Sequence, residues 1–198
     1  MYGMIDSIQN NFRGVLFMFF REIDDDLTLT LMQIDDAEEL FNLTDTSRTY
    51  LREWLSWVDA TTSVDDSRGF IEHTLHGYQD KKSMTLAIRY KGDLVGTAGF
   101  NNLDWSNKIA YIGYWLGQDY QGNGIMTRVA RELTDYALTG IGFNRVDIRA
   151  AFENKKSRSI PERLGFVKEG QIRQAELLYD HYVDHVIYGM LASDWENK

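Results

Sequence analysis

Two glycines one residue apart, Gly122 and Gly124, stand between an apolar run and a helical pattern in the stretch YWLGQDYQGNGIMTRVARELTDYAL, residues 114–138. Behind them Ile125, Met126, Val129, Ala130, Leu133, Tyr136 and Ala137 fall on one helical stripe, with Arg128, Arg131, Glu132 and Asp135 mostly on the other face. The pair therefore sits at a helix N-terminus, where first-turn N–H groups lack internal partners and the helix dipole is positive. Glycine lets an anionic oxygen approach those donors, so strand, glycine turn and helix form a phosphate cradle. The plainer reading is a turn that needs positive φ. No Gly-Lys-Ser/Thr follows, which excludes a nucleoside-triphosphate P-loop. Thr127 stands where a dinucleotide fingerprint wants a third glycine, and the antiparallel strands before it contradict a βαβ unit.

His181 and His185 lie four apart, with Asp180 and Asp184 beside them. That spacing suits a metal pair on a helix, but the segment reads as a turn entering a strand, so no metal is expected. The chain has no cysteine, which excludes disulfides, thiolate zinc sites and a cysteine nucleophile, and suits a reducing cytosol.

These residues need a scaffold. The 198-residue chain is long enough for one domain with a sizeable core, and at 43% hydrophobic and 13% aromatic it should fold. LFMFFREIDDDLTLTLMQ reads as two short strands about an acidic turn. IDDAEELFNLTDTSRTYLREWLSWV reads as one helix whose aromatics Tyr50, Trp54 and Trp57 recur at helical spacing, either as core or as the wall of a substrate groove. A second helix over SVDDSRGFIEHTLHGYQD precedes three antiparallel strands, SMTLAIRY, LVGTAGFNNL and KIAYIGYWL. After the glycine-led helix come the strand RVDIRAAF, a short helix around KKSRSIPERLG, and two strands about a turn near Tyr179-Asp180-His181. The order implies an α/β fold of α+β type: one central mixed, mostly antiparallel sheet flanked by helices.

A net charge of −9 disfavours bulk binding to nucleic-acid backbones, so no direct DNA binding is expected. The N-terminal apolar run spans only Val15–Phe20, too short for a signal peptide core or a membrane span, and a soluble cytoplasmic protein is expected. An apolar strand there could pair two chains as a homodimer. Residues 1–14 are an unassigned extension and 15–198 form the domain.

The segment Gln121-Gly122-Asn123-Gly124-Ile125-Met126 resembles the Gln/Arg-x-x-Gly-x-Gly/Ala signature of the GCN5-related N-acetyltransferases. Met126 replaces the usual last small residue, a departure common in the branch that acetylates ribosomal proteins. ENKKSRSIPERLGF looks like the family's Asn-x-x-Ser element followed by a short helix and Gly-Phe, and the resemblance covers roughly residues 26–193. It implies that the amides of residues 121–127, Thr127 included, hold the pyrophosphate of acetyl-coenzyme A (acetyl-CoA). It also implies a splay between the strands IAYIGYWL and RVDIRAAF, where the backbone near Trp115 and Leu116 pairs with the pantetheine arm. Asn154 would orient cofactor or loop; otherwise it is a turn residue.

Acetyl transfer from a thioester to an amine needs a proton acceptor for the amine, donors for the oxyanion and a proton for the leaving thiolate. Ser157 resembles the branch serine near the thioester sulfur and is the candidate acid; otherwise it caps the short helix. Ser159 and Glu162 have capping-box spacing, with Pro161 suited to a first turn, which would leave Ser157 free. Glu176 in Gln174-Ala175-Glu176 resembles the branch glutamate that orders a water to take the amine proton; otherwise it is an exposed strand carboxylate. Tyr50, Trp54 and Tyr179 would line the acceptor's entry. The resemblance implies an acceptor that is a protein N-terminus beginning with Ser or Ala. A small amine such as a polyamine or aminoglycoside suits the acidic chain too, and a non-catalytic acetyl-CoA-binding module is the third alternative.

Overall fold

A computed structural model describes residues 19–196. The elements are β1 (Phe20–Asp24), β2 (Leu27–Leu31), α1 (Ala37–Thr46), α2 (Arg48–Leu51), α3 (Val64–Gln79), β3 (Met84–Tyr90), β4 (Asp93–Asp104) and β5 (Ile109–Leu116). They continue as α4 (Ile125–Asp135), β6 (Arg145–Ala151), α5 (Lys155–Arg163), β7 (Val167–Leu178), β8 (His181–Leu191) and α6 (Ala192–Trp195). The proposed extension 1–14 and residues 15–18 of the N-terminal apolar run lie outside the described residues.

All eight strands form one sheet in the order β1-β2-β3-β4-β5-β6-β8-β7. The β5–β6 pair is parallel and the other pairs are antiparallel. Alternation along the strands directs side chains into two layers. Ala110 and Ile112 of β5 join Val129 and Leu133 of α4 and Ile160 of α5 in the main core. Trp115 instead packs against a second cluster that holds Leu40 of α1 and Ile71 of α3.

The expected splay is present. β5 and β6 pair only from Ile109↔Arg145 to Ile112↔Ile148. Beyond that, β5 stays paired with β4 through Leu116, and β6 with β8 through Ala151. The inner edges of both strands face the gap, with backbone groups that the sheet does not use.

The single helix expected over residues 34–58 is broken. A 3-10 turn at Ile34–Asp36, α1, α2 and a second 3-10 turn at Val58–Ala60 replace it. Side chains compete with the helix here: Thr44 Oγ1 donates to the Leu40 carbonyl at 2.9 Å, and Thr46 Oγ1 to that of Asn42 at 2.9 Å. Ser47 Oγ accepts from Gln118 N at 3.1 Å, and the Arg48 guanidinium donates to the carbonyls of Val58 and Thr61 at 2.6 and 2.8 Å. The break carries Tyr50 and Trp54 to the splay, while Trp57 meets Trp115 with ring centroids 5.8 Å apart.

Candidate active site

A cleft of about 870 Å³ opens at the splay. The glycine turn forms one wall. Gly122 and Gly124 adopt φ of +80° and +69°, the left-handed region, and Gly124 is the N-cap of α4. An added Cβ at either glycine would meet no atom within 4 Å, so their bare faces look into open space. Gln121, Ile125, Met126 and Thr127 also line the cleft. Asn123 is not on its wall; its Nδ2 donates to the carbonyl of Tyr120 at 3.1 Å and braces the turn from behind.

The charged residues on the wall are Arg128, Lys156 and Arg163, with no carboxylate among them, in a chain of net charge −9. Three cations beside a positive helix end and two bare glycines fit a polyanionic ligand such as the phosphates of acetyl-CoA. No local pattern in the sequence marks any of the three for this role. Arg128 pairs with Asp24, Lys156 Nζ donates to Gln121 Oε1 at 3.0 Å, and Arg163 Nη2 donates to Thr127 Oγ1 at 3.1 Å.

The opposite wall is the start of α5. Its N-cap is Asn154, whose Oδ1 accepts from Ser157 N at 3.0 Å. This corrects the capping box expected at Ser159: the helix begins earlier, so Ser159 is internal and its Oγ donates to the Lys156 carbonyl at 2.7 Å. Ser157 is still not consumed as a cap. It lines the cleft together with Tyr114, Trp115 and Leu116 from β5. Tyr114 Oη donates to the Ser157 carbonyl at 3.1 Å, a relationship across 43 residues that no local pattern signals.

Glu176 is not on the cleft wall. Its Oε1 accepts from Ser56 Oγ at 3.2 Å and its Oε2 lies 3.1 Å from His185 Nε2. A bulge aims it there. Ile172 pairs with His185 and Glu176 with Val183, so residues 173–175 of β7 lie opposite Asp184 alone. Asp184 Oδ1 accepts from Gln174 N at 2.8 Å, with Gln174 at φ +49°. That bond and one from Gln171 hold the Asp184 carboxyl below the usual range. Val186 and Tyr188 belong to the main core with α4 and α5, so alternation turns His185, and Glu176 with it, to the sheet's other face.

The remaining candidates separate. Tyr50 and Trp54 line the cleft. Tyr179 does not; its hydroxyl donates to the Leu55 carbonyl at 2.8 Å and the Arg52 guanidinium lies 4.0 Å above its ring, so it braces the segment that carries Trp54. His181 bonds Asp180 at 3.0 Å and His185 bonds Glu176, so the two histidines are engaged separately. Among the described residues no cluster of three or more His, Cys, Asp or Glu could hold a metal, and no helix is long and apolar enough to cross a membrane.

A mixed sheet splayed at one parallel pair, with a glycine-capped helix at the gap, defines an acyl-transferase architecture. Residues 26–167 match the family model described as the acetyltransferase (GNAT) domain, and the chain belongs to that family. It is an acetyl-CoA-dependent N-acetyltransferase. YdaF of Bacillus subtilis is 35% identical over 182 residues, covering 91% of this chain and 100% of that protein. The solved structure of the microcin C7 self-immunity acetyltransferase MccE, in complex with acetyl-CoA and AMP, is 34% identical at a TM-score of 0.81, covering 85% of this chain and 94% of that one. RimL, the ribosomal L7/L12 α-N-protein acetyltransferase solved with coenzyme A, is 27% identical at a TM-score of 0.83, covering 89% and 99%.

Proposed function

We propose that the enzyme acetylates the N-terminal α-amine of a ribosomal protein. The reading of the site is supported by one observation: Ser157 lines the cleft at the splay, and Glu176 lies on the sheet's other face, held by Ser56 and His185. Acetyl-CoA, held by the turn 121–127, by Arg128, Lys156 and Arg163, and by the backbone at Trp115 and Leu116, supplies an activated acetyl group. Glu176 takes the amine proton through water, and Ser157 gives a proton to the departing sulfur. Asn154 keeps Ser157 in place by capping α5. Tyr50 and Trp54 guide the acceptor, and Tyr179 supports them from behind. The likeness to RimL supports a chain terminus as acceptor.

A small-molecule amine is the second reading, favoured by the likeness to MccE, which was solved in complex with acetyl-CoA and AMP. A matched panel separates the two: peptides beginning with Ser or Ala, a peptide with internal lysines and a blocked terminus, spermidine and an aminoglycoside, each read by mass spectrometry. Acetylation of the peptide α-amine is the expected result. Modification of internal lysines only would sink the N-terminal reading, and turnover of the small amines alone would replace it with the second.

A further inference from the structure

Pro161 lies four residues after Ser157 inside α5 and has no N–H. The Ser157 carbonyl therefore lacks the i→i−4 bond that an ordinary residue at 161 would donate. Tyr114 Oη takes that place at 3.1 Å, and Ser157 Oγ in turn lies 3.5 Å from Tyr114 Oη as its donor. The two residues belong to different arms of the splay. Tyr114 is on β5 beyond its last pairing with β6, and Ser157 is on the helix that follows β6. The phenol thus spans the gap where the two strands have let go of each other.

We propose that Tyr114 is a positioning residue for acetyl transfer, whose hydroxyl fixes where Ser157 stands across the splay. It acts through Ser157 and not on the reacting atoms, so the inference rests on the reading of Ser157 as the acid. Burial pushes the Tyr114 hydroxyl well above the usual phenol range, against the opposing effects of Ser157 and Arg163, so it stays protonated and able to donate. Main-chain attachment matters here. A bond to the Ser157 carbonyl places the whole first turn of α5, where a bond to Oγ alone would leave the backbone free.

Tyr114→Phe keeps the ring and removes both bonds. The test compares wild type, Tyr114→Phe, Ser157→Ala and the double variant, using whichever of a Ser-initiated peptide and spermidine is turned over. Tyr114→Phe should lower kcat about tenfold while the acetyl-CoA Kd stays within about twofold. It should add no further loss in the Ser157→Ala background, because coupled residues are not additive. Amide exchange, which needs no acceptor, should be faster across residues 155–160 in Tyr114→Phe. Unchanged kcat, an equal loss in both backgrounds, or unchanged exchange in α5 overturns the proposal. An impaired Ser157→Ala with an additive Tyr114→Phe overturns the positioning role alone; a fully active Ser157→Ala removes the acid reading and this inference with it.

Discussion

His185 Nε2 stands 3.1 Å from Glu176 Oε2, and Ser56 Oγ donates to Oε1 of the same carboxylate at 3.2 Å. A carboxylate engaged at both oxygens has one orientation, which a base that works through a placed water requires. Glu176→Gln keeps the shape and removes the proposed base, so kcat should fall about a hundredfold at constant pH. Acetyl-CoA affinity should not change, because Glu176 is not on the cleft wall. Ser56→Ala should cost only about threefold, the loss of one of two tethers. Steady-state kinetics with calorimetry checks both; a Glu176→Gln variant with full kcat would assign the carboxylate to the fold.

Gly124 has φ +69° and open space where a Cβ would stand. Gly124→Ala should therefore fold with a backbone cost of about 1 kcal/mol, seen as a small drop in Tm. Gly124→Trp should abolish binding of coenzyme A and acetyl-CoA in calorimetry, because the indole would fill the cradle. If the wild type itself bound neither, the two glycines would be turn residues only.

The three cleft cations are not equivalent. Arg128 already faces Asp24, and that pairing holds the Asp24 carboxyl below its usual range. Arg163 bonds the neutral Thr127 hydroxyl at 3.1 Å. A ligand phosphate competes with a carboxylate at Arg128 and with no carboxylate at Arg163. Arg163→Ala should weaken acetyl-CoA binding about tenfold or more, and Arg128→Ala distinctly less. Titrations at two salt concentrations decide this: the loss at Arg163 should shrink at high salt.

The sequence exposed what is local and hid what is long-range. The glycine pair, the strand alternation and the hairpin at Tyr179-Asp180 were legible because each depends on neighbours in the chain, and the splay followed from the family signature. The break at Ser47 was not, because Thr44 and Thr46 bond back to carbonyls within a stretch whose apolar spacing stays helical. Ser-x-x-Glu spacing points to a cap at Ser159, whereas Asn154, three residues before the N–H it accepts, is the α5 cap. Tyr114 carries no local signal, because its partner is a carbonyl released by a proline 47 positions further on. The bulge at residues 173–175 has no glycine to announce it; its Gln174 N–H is bonded by Asp184 on the opposite strand.

The acid limit of stability should depend on a cluster at the paired end of β6, away from the splay. Arg145 Nε donates to Asp147 Oδ1 at 2.5 Å, and its Nη1 and Nη2 donate to the two oxygens of Glu169 at 2.8 and 2.5 Å. This fork ties β6 to β7 across β8, and it lies over Gly189, where a Cβ would stand 2.4 Å from Glu169 Oε1 and 2.7 Å from Arg145 Nη2. Arg145 depresses the Glu169 carboxyl below its ordinary 4.5. A carboxylate depressed in the folded state stabilises above its unfolded value, and that contribution fades as pH falls through the lower folded value. Wild type should therefore exceed Glu169→Gln in stability by about 1 kcal/mol or less at pH 6, since the pair is partly exposed. Denaturant titrations should show this gap closing below pH 4.5. Gly189→Ala would push the fork apart, so it should cost about 1–3 kcal/mol by overpacking and leave little pH-dependent difference when Glu169→Gln is added. A gap that persists unchanged to the acid limit would mean that the fork holds Glu169 by shape, with its charge contributing nothing.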